Sequence, residues 1–204
     1  MIPPIRRILH RIRATPTLPM EILNMDLSTK ALPDTITVEG RAYLLNTDFR
    51  LWLRFMRELK EAARTQSDLI VNYLFKDDFP EEINIKQLAD WAQPKQELPR
   101  DLGSESDAIA FDFDIDADLI YSAFVQQYGI DLLEADMHWY KFLALMRGIN
   151  DSTKLGKIIG YRTYEKSDKK YDDQMNLLRR MWEITPPITP EEQADIDELN
   201  SYFD

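Results

Sequence analysis

The chain of 204 residues contains no cysteine, which excludes a disulfide framework, a thiolate zinc site and a cysteine nucleophile. Histidine is nearly as scarce: His10 and His138 leave little for a metal cluster or a nucleophile and histidine triad. Long apolar runs are missing as well. A stretch such as Phe142 to Met146 falls far short of the roughly 20 residues that cross a bilayer. Positive charge is in deficit, with 25 Lys and Arg against 36 Asp and Glu and a net charge of −11. Phosphate backbones and anionic lipid surfaces repel such a chain, so a general nucleic-acid or membrane binder is not expected.

What is present describes a globular protein. Apolar residues make up 44% and charged residues 30%, enough to bury a real core in one domain with appendages. The charge is unevenly distributed. Residues 1–24 carry +3, 77–118 carry −10, 137–182 carry +5 and 183–204 carry −7. Solvated helix faces are the simplest reading of such runs, with internal pairing or a partner of mixed charge as the alternative.

Periodicity divides the chain further. Residues 1–24 set Ile5, Ile8, Leu9 and Ile12 at helical spacing among Arg6, Arg7, Arg11 and Arg13, which reads as a flexible basic arm, interrupted too often to be a secretory signal. Residues 25–92 are expected to hold a small β-hairpin and helices. In the hairpin, Ile36 and Val38 alternate with threonines before Glu39-Gly40 breaks the run. Thr47-Asp48 then offers an N-cap for a helix carrying Phe49, Trp52, Met56 and Leu59. Ser67 is expected to cap a second helix through Leu69, Ile70, Tyr73 and Leu74, and Pro80-Glu81-Glu82 to begin a third with Leu88 inward and Trp91 on its flank. Residues 93–107 are polar, with two prolines and a glycine, and read as a linker or loop. Residues 108–182 form a helical lobe packed on the first, with helices expected near 115–128, 136–147, 153–160 and 168–182. In 183–204, Thr189-Pro190-Glu191-Glu192 makes a capping box before an acidic tail helix bearing Ile196, Leu199 and Phe203. The fold class is therefore mainly α: a compact helical domain with a small N-terminal hairpin, a basic arm and an acidic C-terminal helix.

Motifs that suggest chemistry fail on inspection. Asp112, Asp114, Asp116 and Asp118 alternate as in a calcium loop, but counting from Asp112 the sixth position is Ala117 where glycine is needed, and the twelfth is Ala123 where a bidentate glutamate is needed. Asp112-Phe-Asp114 also echoes the aspartyl pair of haloacid dehalogenase phosphatases, yet Asp116 stands where Thr or Val belongs and no α/β alternation surrounds it. Carboxylates capping a helix N-terminus explain the run more simply. Gly156-Lys157 lacks both the glycine at 151 and the hydroxyl at 158 of a phosphate loop. Gly156 and Gly160 suit a tight helix crossing or a helix end, and His138 reads as a helix-surface or core-edge residue. No catalytic, cofactor or metal residue is assigned, and no enzyme activity is expected. Trp139-Tyr140 and Tyr161 would serve as anchors for a partner.

An ordered series of motifs resembles one family. Phe111-Asp-Phe-Asp114, Asp118 to Leu132, Met137-His-Trp-Tyr-Lys-Phe-Leu-Ala-Leu145 and Gly156-Lys-Ile-Ile-Gly-Tyr-Arg162, together with the upstream Asn46-Thr-Asp-Phe-Arg-Leu-Trp52, are similar to the gene product fifteen family, small tail-module proteins of long-tailed bacteriophages and prophages. The match covers about residues 26 to 182. The resemblance implies a non-enzymatic tail assembly chaperone in the host bacterial cytoplasm, absent from the mature virion, which keeps the tape measure protein soluble and helps recruit tail tube protein. Alternatives are a structural tail component, or a phage protein that inhibits or is sensed by a host defence complex. No cofactor, nucleic acid or membrane is implied, and oligomeric state is left open. The motif residues Trp52, Tyr121, Phe124, Tyr128, Trp139, Phe142, Tyr161 and Arg162 are candidates for core or for client contact, with core favoured for most of them.

Overall fold

The computed structural model describes residues 31–65, 67–93, 108–165 and 172–185. The basic arm at 1–24, the linker beyond Gln93 and the acidic tail helix lie outside the described residues. The fold is mainly α: a two-stranded hairpin, β1 (Thr35–Val38) and β2 (Arg41–Leu44), then helices α1 (Phe49–Thr65), α2 (Ile85–Ala92), α3 (Ala117–Tyr128), α4 (Trp139–Arg147), α5 (Lys154–Arg162) and α6 (Asp172–Trp182). Among the described residues, no helix is long and apolar enough to cross a membrane.

The hairpin closes because Glu39 and Gly40 both take positive φ, 51° and 81°, the geometry of a two-residue turn whose twist matches the strands. Val38 pairs with Arg41 and Thr35 with Leu44. Ile36 and Val38 then face inward while Thr35 and Thr37 face solvent, the period of two read from the sequence. A lone hairpin is marginal in water, and this one is extended by residues 74–76: Asn46 N–H donates to the Leu74 carbonyl at 2.7 Å and Lys76 N–H to that of Leu44 at 3.0 Å.

That pairing corrects one expectation. Residues 67–74 do not form a helix; only Asn72–Leu74 make a single 3-10 turn. The Ser67 hydroxyl accepts from Thr65 at 2.9 Å instead of capping, and the backbone after Asn72 is taken up by the edge of the hairpin. Leu74 is fully buried there, whereas Ile70 is 53% exposed. Tertiary pairing outweighs a helical apolar spacing when the run is short and contains β-branched Val71.

The same connecting segment joins the two halves of the chain. Phe49 N–H donates to the Met137 carbonyl at 3.1 Å and Trp139 N–H to that of Thr47 at 2.7 Å. One continuous core results, drawing on the hairpin and on α1 to α5. Phe142 stands at its centre, stacked on Phe49 at 4.8 Å, Phe124 at 5.3 Å and Trp139 at 5.6 Å. Trp91, expected on a flank, is instead buried and stacked on Trp52 at 4.2 Å. A helix of only eight residues wedged between layers buries more of its circumference than one amphipathic stripe predicts.

The two glycines of α5 differ. A Cβ on Gly156 would fall 1.9 Å from the Asn150 carbonyl oxygen, whereas at Gly160 nothing lies within 4 Å. Gly156 permits the preceding loop to fold onto the first turn, where buried Thr153 accepts from Gly156 N–H at 3.0 Å and donates to Asn150 at 2.9 Å. Gly156→Ala is accordingly expected to destabilise by about 1–3 kcal/mol through backbone displacement. Gly160→Ala should stabilise by about 0.5–1 kcal/mol through helix propensity. Urea unfolding midpoints of the two variants should move in opposite directions.

Candidate functional site

The structure divides the eight motif residues into two groups. Trp52, Phe124, Trp139, Phe142 and Arg162 are buried, whereas Tyr121, Tyr128 and Tyr161 are partly exposed. Even the polar atoms of the buried group are engaged in holding the chain together. Trp52 Nε1 donates to the Asn46 carbonyl at 2.8 Å and Trp139 Nε1 to that of Ala92 at 2.7 Å. The neighbouring Tyr140 donates to the Trp91 carbonyl at 2.8 Å, and burial pushes its phenol well above the ordinary value. Trp139 and Tyr140 therefore fasten the end of α2 to α4 and offer no face to a partner. Tyr128 donates to the Leu145 carbonyl at 2.8 Å and links α3 to the end of α4; burial raises its phenol too.

The aspartate run is not a cation cage. Asp112 accepts from the N–H groups of Asp114 and Ile115 at 2.8 and 3.1 Å and pairs with Lys60 at 2.7 Å. Burial pushes its carboxyl upward, but Lys60 and the two N–H donors outweigh that and hold it below the usual range. Asp116 turns the other way, accepting from Arg162 at 2.6 and 3.0 Å with both groups buried. Asp114 faces Arg57 at 3.8 Å and Asp118 is exposed. The expected role at a helix start thus holds for Asp112, which caps the turn ahead of α3, and for Asp118 in its first turn, while Asp114 and Asp116 face arginines because alternating side chains point in different directions. Among the described residues, no group of three or more His, Asp or Glu is placed to hold a metal.

Two devices were not visible from spacing. Arg50 Nη2 donates to the carbonyls of Leu132, Leu133 and Ala135 at 2.9, 3.0 and 2.9 Å, holding the α3–α4 loop from beneath. His138 caps α4, its Nδ1 accepting from Tyr140 N–H at 3.0 Å while Nε2 lies 3.0 Å from the Pro33 carbonyl. These partners dictate a neutral ring with the proton on Nε2. A position one residue before an apolar helix start was the available signal, but histidine is a rare cap beside Ser, Thr, Asp and Asn.

Burial lowers the His138 pKa from its ordinary 6.5, with Lys141 and Lys76 acting in the same direction and the Pro33 carbonyl and Asp34 opposing. Because the folded value lies below the unfolded one, the unfolded chain binds the extra proton first as pH falls. The contribution of His138 is fully present above pH 6.5 and declines as pH drops through the folded value. His138→Asn, which retains a capping oxygen, should flatten that part of the pH dependence. Urea midpoints for both proteins between pH 7.5 and 5.0 check this.

On the outer surface, large apolar side chains stand open where a single folded chain gains nothing from them. Leu133 is 77% exposed, Met181 66%, Ile115 65% and Leu177 51%. Leu177 and Met181 share one face of α6, four residues apart; Ile115 and Leu133 lie at the two ends of α3.

The family model described as Bacteriophage Gp15 protein matches residues 29–185, spanning the hairpin and all six helices. No curated protein and no solved structure matches the chain.

Proposed function

Since this chain belongs to the bacteriophage Gp15 family, which marks it as a phage structural or assembly-related protein, we propose that it is a tail assembly chaperone. It keeps the tape measure protein soluble in the host cytoplasm, helps recruit tail tube subunits around it, and leaves before the virion is mature. It does so by binding, without catalysis or a cofactor. The observation that carries this reading is the family match over residues 29–185.

Its physical support lies in the division of aromatic and aliphatic residues. The large aromatic motif residues build a rigid interior, while Ile115, Leu177 and Met181 remain outside. A long amphipathic client helix can lay its apolar positions on such side chains. The net charge of −11 then keeps the complex dispersed. Co-expression with the tape measure protein tests the proposal. Soluble recovery of the tape measure protein should rise when this chain is present and fall again when Leu177→Asp and Met181→Asp are introduced. Stoichiometric presence of this chain in purified virions would assign it instead to the tail structure.

A further inference from the structure

The outer face of helix α3 is mixed, with Val125 and half-buried Tyr121 set among Asp118, Ser122 and Gln126. Ile120, Ala123 and Phe124 face the core, yet Val125 is 44% exposed on the opposite side. Ile115, 65% exposed, lies two residues before the helix, and Leu133, 77% exposed, in the loop that follows. Tyr121 shares the outer face with Val125, four residues on, and burial together with the charges of nearby Asp131 and Glu134 raises its phenol above the ordinary value.

The rim of this patch is acidic. Asp118, Asp131, Glu134 and Asp136 are exposed, and no salt bridge among the described residues engages any of them. The loop that carries three of these acids is held in place by the Arg50 guanidinium, so the surface is organised in advance of any contact. An apolar centre with an acidic rim suits a basic amphipathic segment.

The chain supplies such a segment itself. Ile5, Ile8, Leu9 and Ile12 recur at helical spacing, interleaved with Arg6, Arg7, Arg11 and Arg13, and they precede the family match, which begins at residue 29. The chain also enters the fold at the right place. The Pro33 carbonyl is bonded to His138, two residues after Asp136, so the polypeptide leading back to the arm starts beside the acidic loop. Residues 14–30 reach about 55 Å when extended, more than enough to carry residues 5–13 back across α3.

We infer that residues 5–13 dock in cis on the outer face of α3, setting their apolar side chains against Tyr121, Val125 and Leu133 and their arginines against the acidic rim. Tethering favours the chain's own arm over that of a second copy, because a short linker gives an effective concentration in the millimolar range. The other exposed apolar pair, Leu177 and Met181, sits beside Arg179 and Arg180, whose charge repels the arm. The inference is independent of the chaperone reading.

The absence of cysteine makes the test direct. In the full-length chain, Leu9→Cys with Leu133→Cys should form an intramolecular disulfide under mild oxidation at least tenfold faster than Leu9→Cys with Met181→Cys. Leu133 and Met181 are 77% and 66% exposed, so their substitution leaves the core intact. Raising salt from 0.05 to about 1 M, where screening shortens to about 3 Å, or adding Asp131→Asn and Glu134→Gln, should reduce the difference. Equal rates for the two pairs overturn the inference, as does a disulfide formed only between chains, which would assign the surface to a second copy. A faster bond between Leu9→Cys and Leu199→Cys also overturns it and places the arm on the acidic tail.

Discussion

Arg162→Met is expected to cost about 3–5 kcal/mol of folding stability, the characteristic penalty for removing one partner of a buried ion pair. Asp116 is 2% and Arg162 4% exposed, and their two hydrogen bonds of 2.6 and 3.0 Å form the parallel fork typical of guanidinium and carboxylate. The pair is also the junction of several chain segments. Asp116 accepts from the Asp112 N–H at 2.9 Å, while Arg162 donates to the carbonyls of Trp182 at 2.5 Å and Ala110 at 3.3 Å. Methionine retains the volume but strands a buried carboxylate and leaves two carbonyls without their donor. Asp116→Ala should be similarly damaging, because it leaves the guanidinium unpaired. The double variant Asp116→Ala with Arg162→Met should lose less than the sum of the two, since no isolated charge stays behind. Urea unfolding of the four proteins supplies the cycle. Hydrogen exchange should show α6 loosening first in Arg162→Met, as the end of that helix is tied down through the Trp182 carbonyl.

Trp139→Ala is expected to have an effect of the same size, about 3–5 kcal/mol, for a different reason. The indole packs against Phe142 and, at 6.2 Å, against Phe113, and its Nε1 satisfies the Ala92 carbonyl. Truncation leaves a cavity in a core that cannot collapse around the stacked rings, together with an unpaired carbonyl. Met181→Ala, at a side chain 66% exposed, should change stability by less than about 0.5 kcal/mol. Thermal melting of the two variants separates residues that build the fold from those that meet a partner. Any loss of client recovery seen with Trp139→Ala should follow its loss of folded protein, whereas a loss seen with Met181→Ala should occur at unchanged stability.

How far the residues alone carry the reading depends on the length of each pattern. Alternation over Thr35 to Val38 with Glu39-Gly40 behind it is a complete hairpin signal, and the structure shows those strands and that turn. Helices α1 and α3 to α5 have bounds and apolar stripes close to those expected, α1 with the Asp48 cap read from the sequence, and α6 begins at Asp172. Residues 67–74 read as a helix in isolation because four apolar side chains at helical spacing carry no information about the hairpin edge that takes their backbone. Trp91 was placed on a flank because one helix's pattern does not reveal that layers lie on both of its sides. The functional reading rested on an ordered series of motifs, most of whose aromatic members turn out to be interior.

By itself the sequence determined the helical class, the hairpin, the lack of cysteine chemistry and the family, because each of these depends on local pattern, composition or the order of motifs along the chain. Only the tertiary structure decided which of four alternating aspartates turns inward to Arg162, 46 residues away, and which aromatic residues close the core. It alone set the proton on His138 Nε2 through Tyr140 and Pro33. It also left Leu133 on the surface above a loop clamped by Arg50. Direction, burial and partner are properties of distant segments brought together, and no window of neighbouring residues encodes them.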